Sequence, residues 1–330
     1  MSAPLVVVTD ADLGDDAALL APLHAAGLEV RREHCASAAD VIAVAAEADA
    51  LIVQWAPIDA VVLARLPRLR FVSRLGIGYD MIDVAAATAR GVAVANMPDY
   101  CVEEVAAHTL ALLLATTRRL PQLDRAVRAG SWSAIGDGPG AIRPSQTTVA
   151  ILGHGRIGSL VAAHAAALGF RVLVHDPHAP AAAIAAAGHQ PVGFEQALQE
   201  ADVLSLHVPL TAATHHLIDA AALARMRPGG VVVNTCRGGL VDEAALAAAL
   251  ADGHLAQAAL DVFEQEPLPP GSPLRALPNL LLTPHSAWYS PAALAELPRR
   301  AAEQVADFLA GRPVPTIVNP GAPRAGERTR

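Results

Sequence analysis

Residues 148–177 read TVAILGHGRIGSLVAAHAAALGFRVLVHDP. An apolar run, TVAIL, leads directly into Gly153-His154-Gly155-Arg156-Ile157-Gly158. A helical pattern follows to Gly169, and a second apolar run, RVLVH, gives way to Asp176. Strand, Gly-rich turn, helix, strand and acid, in that order, make a dinucleotide-binding βαβ unit. Gly153 permits the turn, Gly155 lets backbone approach a pyrophosphate, and Gly158 lets helix and strand pack closely. Arg156 and Ile157 open the helix whose N-terminal amides receive the phosphates. Asp176 stands 18 residues beyond Gly158, where it can accept hydrogen bonds from the adenosine ribose. Its charge repels a 2′-phosphate, and Pro177 and His178 follow it rather than Arg, so the cofactor expected is NAD.

Outward from this unit, the chain alternates short apolar runs with helical patterns, the signature of parallel sheets covered on both faces. Before it stand runs at 5–8, 28–30, 50–53, 70–73 and 92–96. From 148 onward there are six: 148–152, 171–175, 203–208, 231–235, 258–263 and 280–283. Residues 102–120 form the longest helical candidate, with Glu103 and Glu104 at its start and Arg118 and Arg119 at its end, as the helix dipole favours. Cys101 stands where Ser or Thr would complete a capping box with Glu104. Residues 130–147 are rich in Gly, Pro and Ser and read as a connection or arm. An amphipathic helix is expected from Pro291 to Gly311, followed by a tail that frays over 324–330.

The 330 residues suggest about two domains. With 53% apolar and 17% charged residues, the chain has ample material for a core, which excludes wholesale disorder. A net charge of −8 argues against general affinity for nucleic acid or anionic membrane. All 24 basic residues are Arg. Absence of Lys excludes Schiff-base and pyridoxal-phosphate chemistry, the GxxxxGK[ST] phosphate loop and the kinase Lys. Cys35, Cys101 and Cys236 are too scattered for a disulfide framework or a CxxC metal site. The opening MSAPLVVVTD reads as a strand rather than a signal peptide, and no apolar run spans a membrane. A soluble, cytoplasmic protein is expected.

Ligands of open α/β sheets bind at the carboxyl ends of the strands. Those ends carry Asp176, Val208-Pro209, Thr235-Cys236-Arg237, Asp261 and Thr283-Pro284-His285. A Glu266 paired to His285 would orient the imidazole, which could pass a proton to a carbonyl oxygen as hydride arrives. Arg237 offers a planar fork for a carboxylate. His215-His216 is discounted as a metal pair, because no further ligand spacing supports it, and no metal is expected. His164, His175 and His207 read as structural.

NTCRGGLVDEAAL, ALDVFEQEP and TPHSAW, with GHGRIG and VHDP, resemble the D-isomer-specific 2-hydroxyacid dehydrogenases from about residue 50 to residue 312. The resemblance implies Arg237, Glu266 and His285 as the catalytic residues. It implies substrate contact at Arg74, Gly76, Ile77 and Gly78 of RLGIGYDMID. On the cofactor side it implies Thr109, Val208, Pro209, Thr214, Thr235, Cys236 and Asp261, beside Gly153, Gly155, Arg156, Ile157, Gly158 and Asp176. Two departures stand out: Met81 replaces the usual Asn, and Cys236 the usual Ala or Ser. HSAWYS, Arg74 and CVEEVAAHTL look like the C-terminal-binding-protein branch, in which Trp288 would wall the substrate pocket.

The architecture implied is two doubly wound parallel-sheet domains. A flavodoxin-like substrate domain comprises 1–101 and 290–330; a Rossmann NAD-binding domain comprises 102–289. The crevice between them is expected to hold the active site and to exclude water on closing. The helix at 102–120 and the arm would build a homodimer. The function implied is reversible, NAD-dependent reduction of a 2-oxo acid to a D-2-hydroxy acid. A second reading is an NAD(H)-sensing, corepressor-like scaffold with little turnover. A third, narrower one is phosphoglycerate dehydrogenase or glyoxylate/hydroxypyruvate reductase. Against phosphoglycerate dehydrogenase, no extra basic cluster is evident and no regulatory domain follows within the sequence.

Overall fold

The computed structural model describes residues 3–14, 16–133, 135 and 140–320. The expected frayed tail and, within the expected arm, residues 134 and 136–139 lie outside them. The chain divides into two compact units, Met1–Tyr100 with Ser290–Arg330, and Cys101–Tyr289.

The first unit opens with β1 (Leu5–Val8), α1 (Ala17–Ala25), β2 (Glu29–Arg32), α2 (Ala38–Ala45), β3 (Ala50–Val53), α3 (Ala60–Arg65), β4 (Phe71–Arg74), α4 (Val84–Ala89) and β5 (Ala93–Ala95). Its sheet runs β2-β1-β3-β4-β5, parallel throughout. The three inner strands are buried along their whole length, which is why they read as unbroken apolar runs. Their helices start where Ser37, Asp59 and Asp83 cap them.

The second unit contains α5 (Val102–Thr117), α6 (Leu120–Arg128), β6 (Thr148–Leu152), α7 (Arg156–Ala167), β7 (Arg171–His175), α8 (Ala181–Ala186), β8 (Gln190–Pro191), α9 (Phe194–Glu200), β9 (Val203–Leu206), α10 (Ala220–Arg225), β10 (Gly230–Asn234), α11 (Glu243–Ala251), β11 (Leu255–Leu260) and β12 (Leu280–Leu282). Its parallel sheet runs β12-β11-β10-β9-β6-β7-β8. Strand order reverses between β6 and β9, the place where such sheets bind ligands. One apolar cluster joins the sheet to α9, α10 and α11 and another joins it to α5 and α7, so both faces are covered. Finally α12 (Pro291–Leu309) returns to the first unit and packs on α1, β3 and β4, stacking Phe308 on Phe71 with ring centroids 4.4 Å apart.

Three sequence expectations are corrected. The helix drawn from 102 to 120 is two helices: α5 stops at Thr117, and Arg119 adopts a left-handed φ of 58° before α6 begins. Pro121 explains the break, because inside a continuous helix its ring would clash with the carbonyl of Thr117. The second sheet has a seventh strand, the two-residue β8, whose Pro191 is tolerated at a sheet edge. The strand drawn over 258–263 runs from Leu255 to Leu260, so Asp261 stands just past its end. At α5, Cys101 makes no side-chain cap, as the sequence implied. Among the described residues no helix is long and apolar enough to cross a membrane.

Candidate active site

The Gly-rich turn is built as its sequence requires. Gly153 has φ +95°, and a Cβ there would lie 2.3 Å from the His207 carbonyl oxygen. At Gly158 a Cβ would lie 2.1 Å from the Gly153 carbonyl oxygen. Gly153 therefore holds the turn against the segment after β9, and Gly158 holds α7 against the turn, both at backbone contact. At Gly155 a Cβ would meet nothing within 4 Å, leaving space over the first turn of α7. Gly155 is the N-cap of α7 and supplies no side-chain cap, so the amides of Arg156, Ile157 and Gly158 are available to an anion. At the end of β7, Asp176 accepts hydrogen bonds from the amides of His154 (2.7 Å), His178 (2.8 Å) and Ala179 (3.2 Å). Burial pushes its pKa up, but these amides outweigh burial and hold it below the ordinary carboxylate range. Open space, uncapped amides and a fixed carboxylate fit a dinucleotide.

Further along the same sheet edge, His285 Nδ1 lies 2.7 Å from Glu266 Oε2, while Glu266 Oε1 accepts the Phe263 amide at 2.9 Å. His285 has a left-handed φ of 52°, a backbone state that non-glycine residues adopt only where the surroundings enforce it. Asp261 enforces it. The carbonyl of Asp261 accepts the His285 amide (2.7 Å). Its carboxylate, fully buried, accepts the Thr283 hydroxyl (2.5 Å) and the amides of Ser286 (2.9 Å) and Ala287 (2.9 Å). The carboxylate of Asp261 thus ties down the turn carrying His285.

Arg237 follows β10. Asn234 shapes its loop by donating to the Arg237 carbonyl (2.8 Å) and accepting the Cys236 amide (3.0 Å). Arg237 Nη1 donates to the Cys236 carbonyl at 2.8 Å. A Cβ on Gly238 would lie 1.8 Å from the carbonyl carbon of Phe263, so this glycine seats the Arg237 loop against the segment leading to Glu266. Burial pushes the Cys236 thiol up to about 11, against the opposing pull of Arg237, and such a thiol is unreactive. Thr109 is buried on α5; its hydroxyl lies 2.7 Å from that of Thr235 and donates to the Val105 carbonyl. Thr214 donates to the Pro209 carbonyl at 2.7 Å and so shapes the loop beyond Val208.

In the first unit, Arg74 ends β4 with its guanidinium 5.3 Å from the centre of the Trp55 ring. It also lies over Gly76 (φ +140°), where a Cβ would meet Arg74 Nη1 at 1.4 Å. The Gly76 carbonyl accepts the Met97 amide (3.0 Å), and the Ile77 carbonyl accepts from Asn96 (2.6 Å); Gly78 continues this loop. Met81, the departure from the family pattern, accepts the Ile58 amide at 2.9 Å through its carbonyl. Trp288, partly buried, makes an edge contact with Tyr289. His215 and His216 stack on one another, and His216 meets Glu264 at 3.1 Å.

The structure thus gathers Gly153, Gly155, Gly158, Asp176, Arg237, Glu266 and His285 at the carboxyl ends of one sheet. Sequence reasoning named Thr283 only as part of a strand end and gave no role to His108, Asn234 or Gly238, although each stands inside a motif quoted for the resemblance.

A dinucleotide turn beside a carboxylate-held histidine is an arrangement that can serve nicotinamide-dependent hydride transfer. The model of the D-isomer specific 2-hydroxyacid dehydrogenase NAD-binding domain matches residues 110–287. A D-3-phosphoglycerate dehydrogenase of Mycobacterium tuberculosis is 42% identical over 97% of this chain, and the chain spans 60% of that relative's length. A glyoxylate reductase of Korarchaeum cryptofilum is 41% identical over 80% of each chain. Among solved structures, the NADPH-dependent glyoxylate/hydroxypyruvate reductase of Sinorhizobium meliloti, in complex with NADP and malonate, superposes with a TM-score of 0.86 at 32% identity, covering 99% of this chain and 100% of that one. The D-lactate dehydrogenase of Aquifex aeolicus, complexed with NAD and lactic acid, gives 0.83 at 27%, covering 93% and 96%. The chain belongs to the D-isomer specific 2-hydroxyacid dehydrogenase family.

Proposed function

We propose that this protein is an NAD-dependent reductase of 2-oxo acids to D-2-hydroxy acids. The observation that carries the reading is the 2.7 Å contact between His285 Nδ1 and Glu266 Oε2. With Nδ1–H donated to the carboxylate, Nε2 is left to hold and release the proton that the substrate oxygen takes up. When bound, the reduced nicotinamide supplies the hydride. Arg237 pairs with the substrate carboxylate through its planar fork, and Arg74, Gly76, Ile77 and Gly78 contribute further contacts to the acid. Gly153, Gly155, Arg156, Ile157 and Gly158 hold the pyrophosphate, and Asp176 holds the adenosine ribose and disfavours NADP.

The branch-level reading rests on Arg74 and on HSAW at 285–288, where Trp288 would set an apolar wall beside the substrate side chain. The phosphoglycerate dehydrogenase relatives weigh for a phosphorylated oxo acid instead. Homodimer formation is part of the proposal, supported by Trp132 and Ile135, which are 92% and 89% exposed on the arm after α6. The test is NADH oxidation across glyoxylate, hydroxypyruvate, its 3-phosphate and long apolar 2-oxo acids, with His285→Ala as control. Turnover that the variant loses is expected. Tight NADH binding without turnover on any acid overturns the enzyme reading in favour of an NADH-sensing scaffold.

A further inference from the structure

The buried carboxylate behind His285 is approached from a different element, α5. His108 Nε2 lies 3.1 Å from the Thr283 hydroxyl oxygen and 3.6 Å from Asp261 Oδ1. The Thr283 hydroxyl has one proton, and it is given to Asp261 Oδ1 at 2.5 Å. His108 Nε2 must therefore be the donor to Thr283. The bonds then form a directed chain: His108 to Thr283, Thr283 to Asp261, with the same carboxylate accepting the amides of Ser286 and Ala287. His285 lies between Thr283 and Ser286, so both flanks of its left-handed backbone hang on Asp261. Among ionisable groups, His108 of α5 faces this carboxylate, and His285, on the turn that it holds, faces Glu266.

We infer that His108 is a positioning residue for His285, acting through Thr283 and Asp261. The inference rests on the reading of His285 as the proton donor. Without the Nε2 donor, the Thr283 hydroxyl is free to turn away from Asp261, and the His285 turn loses one of the bonds that tie it to Asp261. The imidazole then leaves its line to Glu266. The Gly-rich turn and the Arg237 fork are untouched, so the loss falls on kcat rather than on KM for NADH.

The experiment compares His108→Ala, His108→Gln and Thr283→Val with the wild type. For His108→Ala, kcat is expected to fall about tenfold, the worth of one hydrogen bond, at unchanged KM for NADH. Gln, which places an amide donor near the position of Nε2, restores most of the rate. Proton NMR supplies a readout that needs no turnover: the Nδ1–H of His285 bonded to Glu266 gives a slowly exchanging downfield line, expected in wild type and His108→Gln and lost in His108→Ala. A His108→Ala protein with wild-type kcat and an intact line overturns the inference, as does a Gln variant as slow as Ala. If His108→Ala fails to fold, Thr283→Val breaks the same chain; it is expected to lose the line, and retention overturns the inference. Failure of all proteins to turn over any 2-oxo acid would overturn the proposed function instead, and the NMR line still decides the role of His108.

Discussion

Replacing Gly238 by Ala should damage catalysis far more than cofactor binding. The new Cβ would lie 1.8 Å from the Phe263 carbonyl carbon, 2.0 Å from its oxygen and 2.3 Å from the Glu264 nitrogen. All three are backbone atoms, so no side chain can swing aside. Reaching ordinary contact requires the Arg237 loop and the Phe263–Glu266 segment to separate by roughly 1.5–2 Å. Overpacking of this kind costs ~1–3 kcal/mol, and each kcal/mol shifts the melting temperature of a unit this size by about 2–4 °C. A displacement near 1 Å at reacting groups is worth ~100-fold in rate. The variant should therefore melt about 2–12 °C lower and lose at least ~100-fold in kcat/KM. NADH affinity should stay within about threefold, because the Gly-rich turn is not involved. Gly239→Ala is the control: its Cβ would meet only side-chain atoms, of Leu210 at 3.3 Å and His215 at 3.6 Å, and no backbone. Calorimetry, NADH oxidation and fluorescence titration of NADH measure the three quantities. A Gly238→Ala enzyme with wild-type rate and melting temperature would refute the claim that this glycine seats Arg237 against the Glu266 segment.

Two further outcomes are expected. Asp176→Asn should weaken NAD binding by ~10–100-fold, the worth of a charge-assisted hydrogen bond, and should narrow the preference over NADP; titration with both cofactors checks this, and an unchanged ratio would remove Asp176 from the ribose site. His207 is kept neutral by burial, which lowers its pKa from 6.5 to about 4, and its Nδ1 is shut off from solvent without a partner. Such a base stabilises the fold fully above its unfolded pKa near 6.5, and the contribution is lost as pH falls toward about 4. The loss is at most about 3 kcal/mol. His207→Gln should flatten the melting temperature between those pH values, and a variant that follows the wild-type curve would contradict the assignment.

The cofactor turn was legible in the sequence because every one of its requirements is local. Gly153, Gly155 and Gly158 answer to constraints within one strand–turn–helix, and Asp176 is fixed by the strand that follows. The inner strands were legible too, since a strand buried on both faces must be apolar throughout. Arg237, Glu266 and His285 were legible as residue types at strand ends, through their resemblance to a known family. The break between α5 and α6 is a local signal as well: Pro121 carries it, and the apolar periodicity on either side masked it.

What the sequence alone determined is therefore what short-range sterics and burial dictate: two parallel-sheet series, a dinucleotide turn and the chemical kinds at the strand ends. What only the tertiary structure decided is which distant groups meet. Thr109 finds Thr235, His108 finds Thr283, and Asp261 holds the backbone of the His285 turn. The approach that would put a Cβ on Gly238 only 1.8 Å from Phe263 is set by two loops on neighbouring strands. Such pairings depend on strand order and on where each strand stops, and a hydrogen bond or a backbone contact between residues far apart in sequence leaves no periodicity along the chain from which to read it.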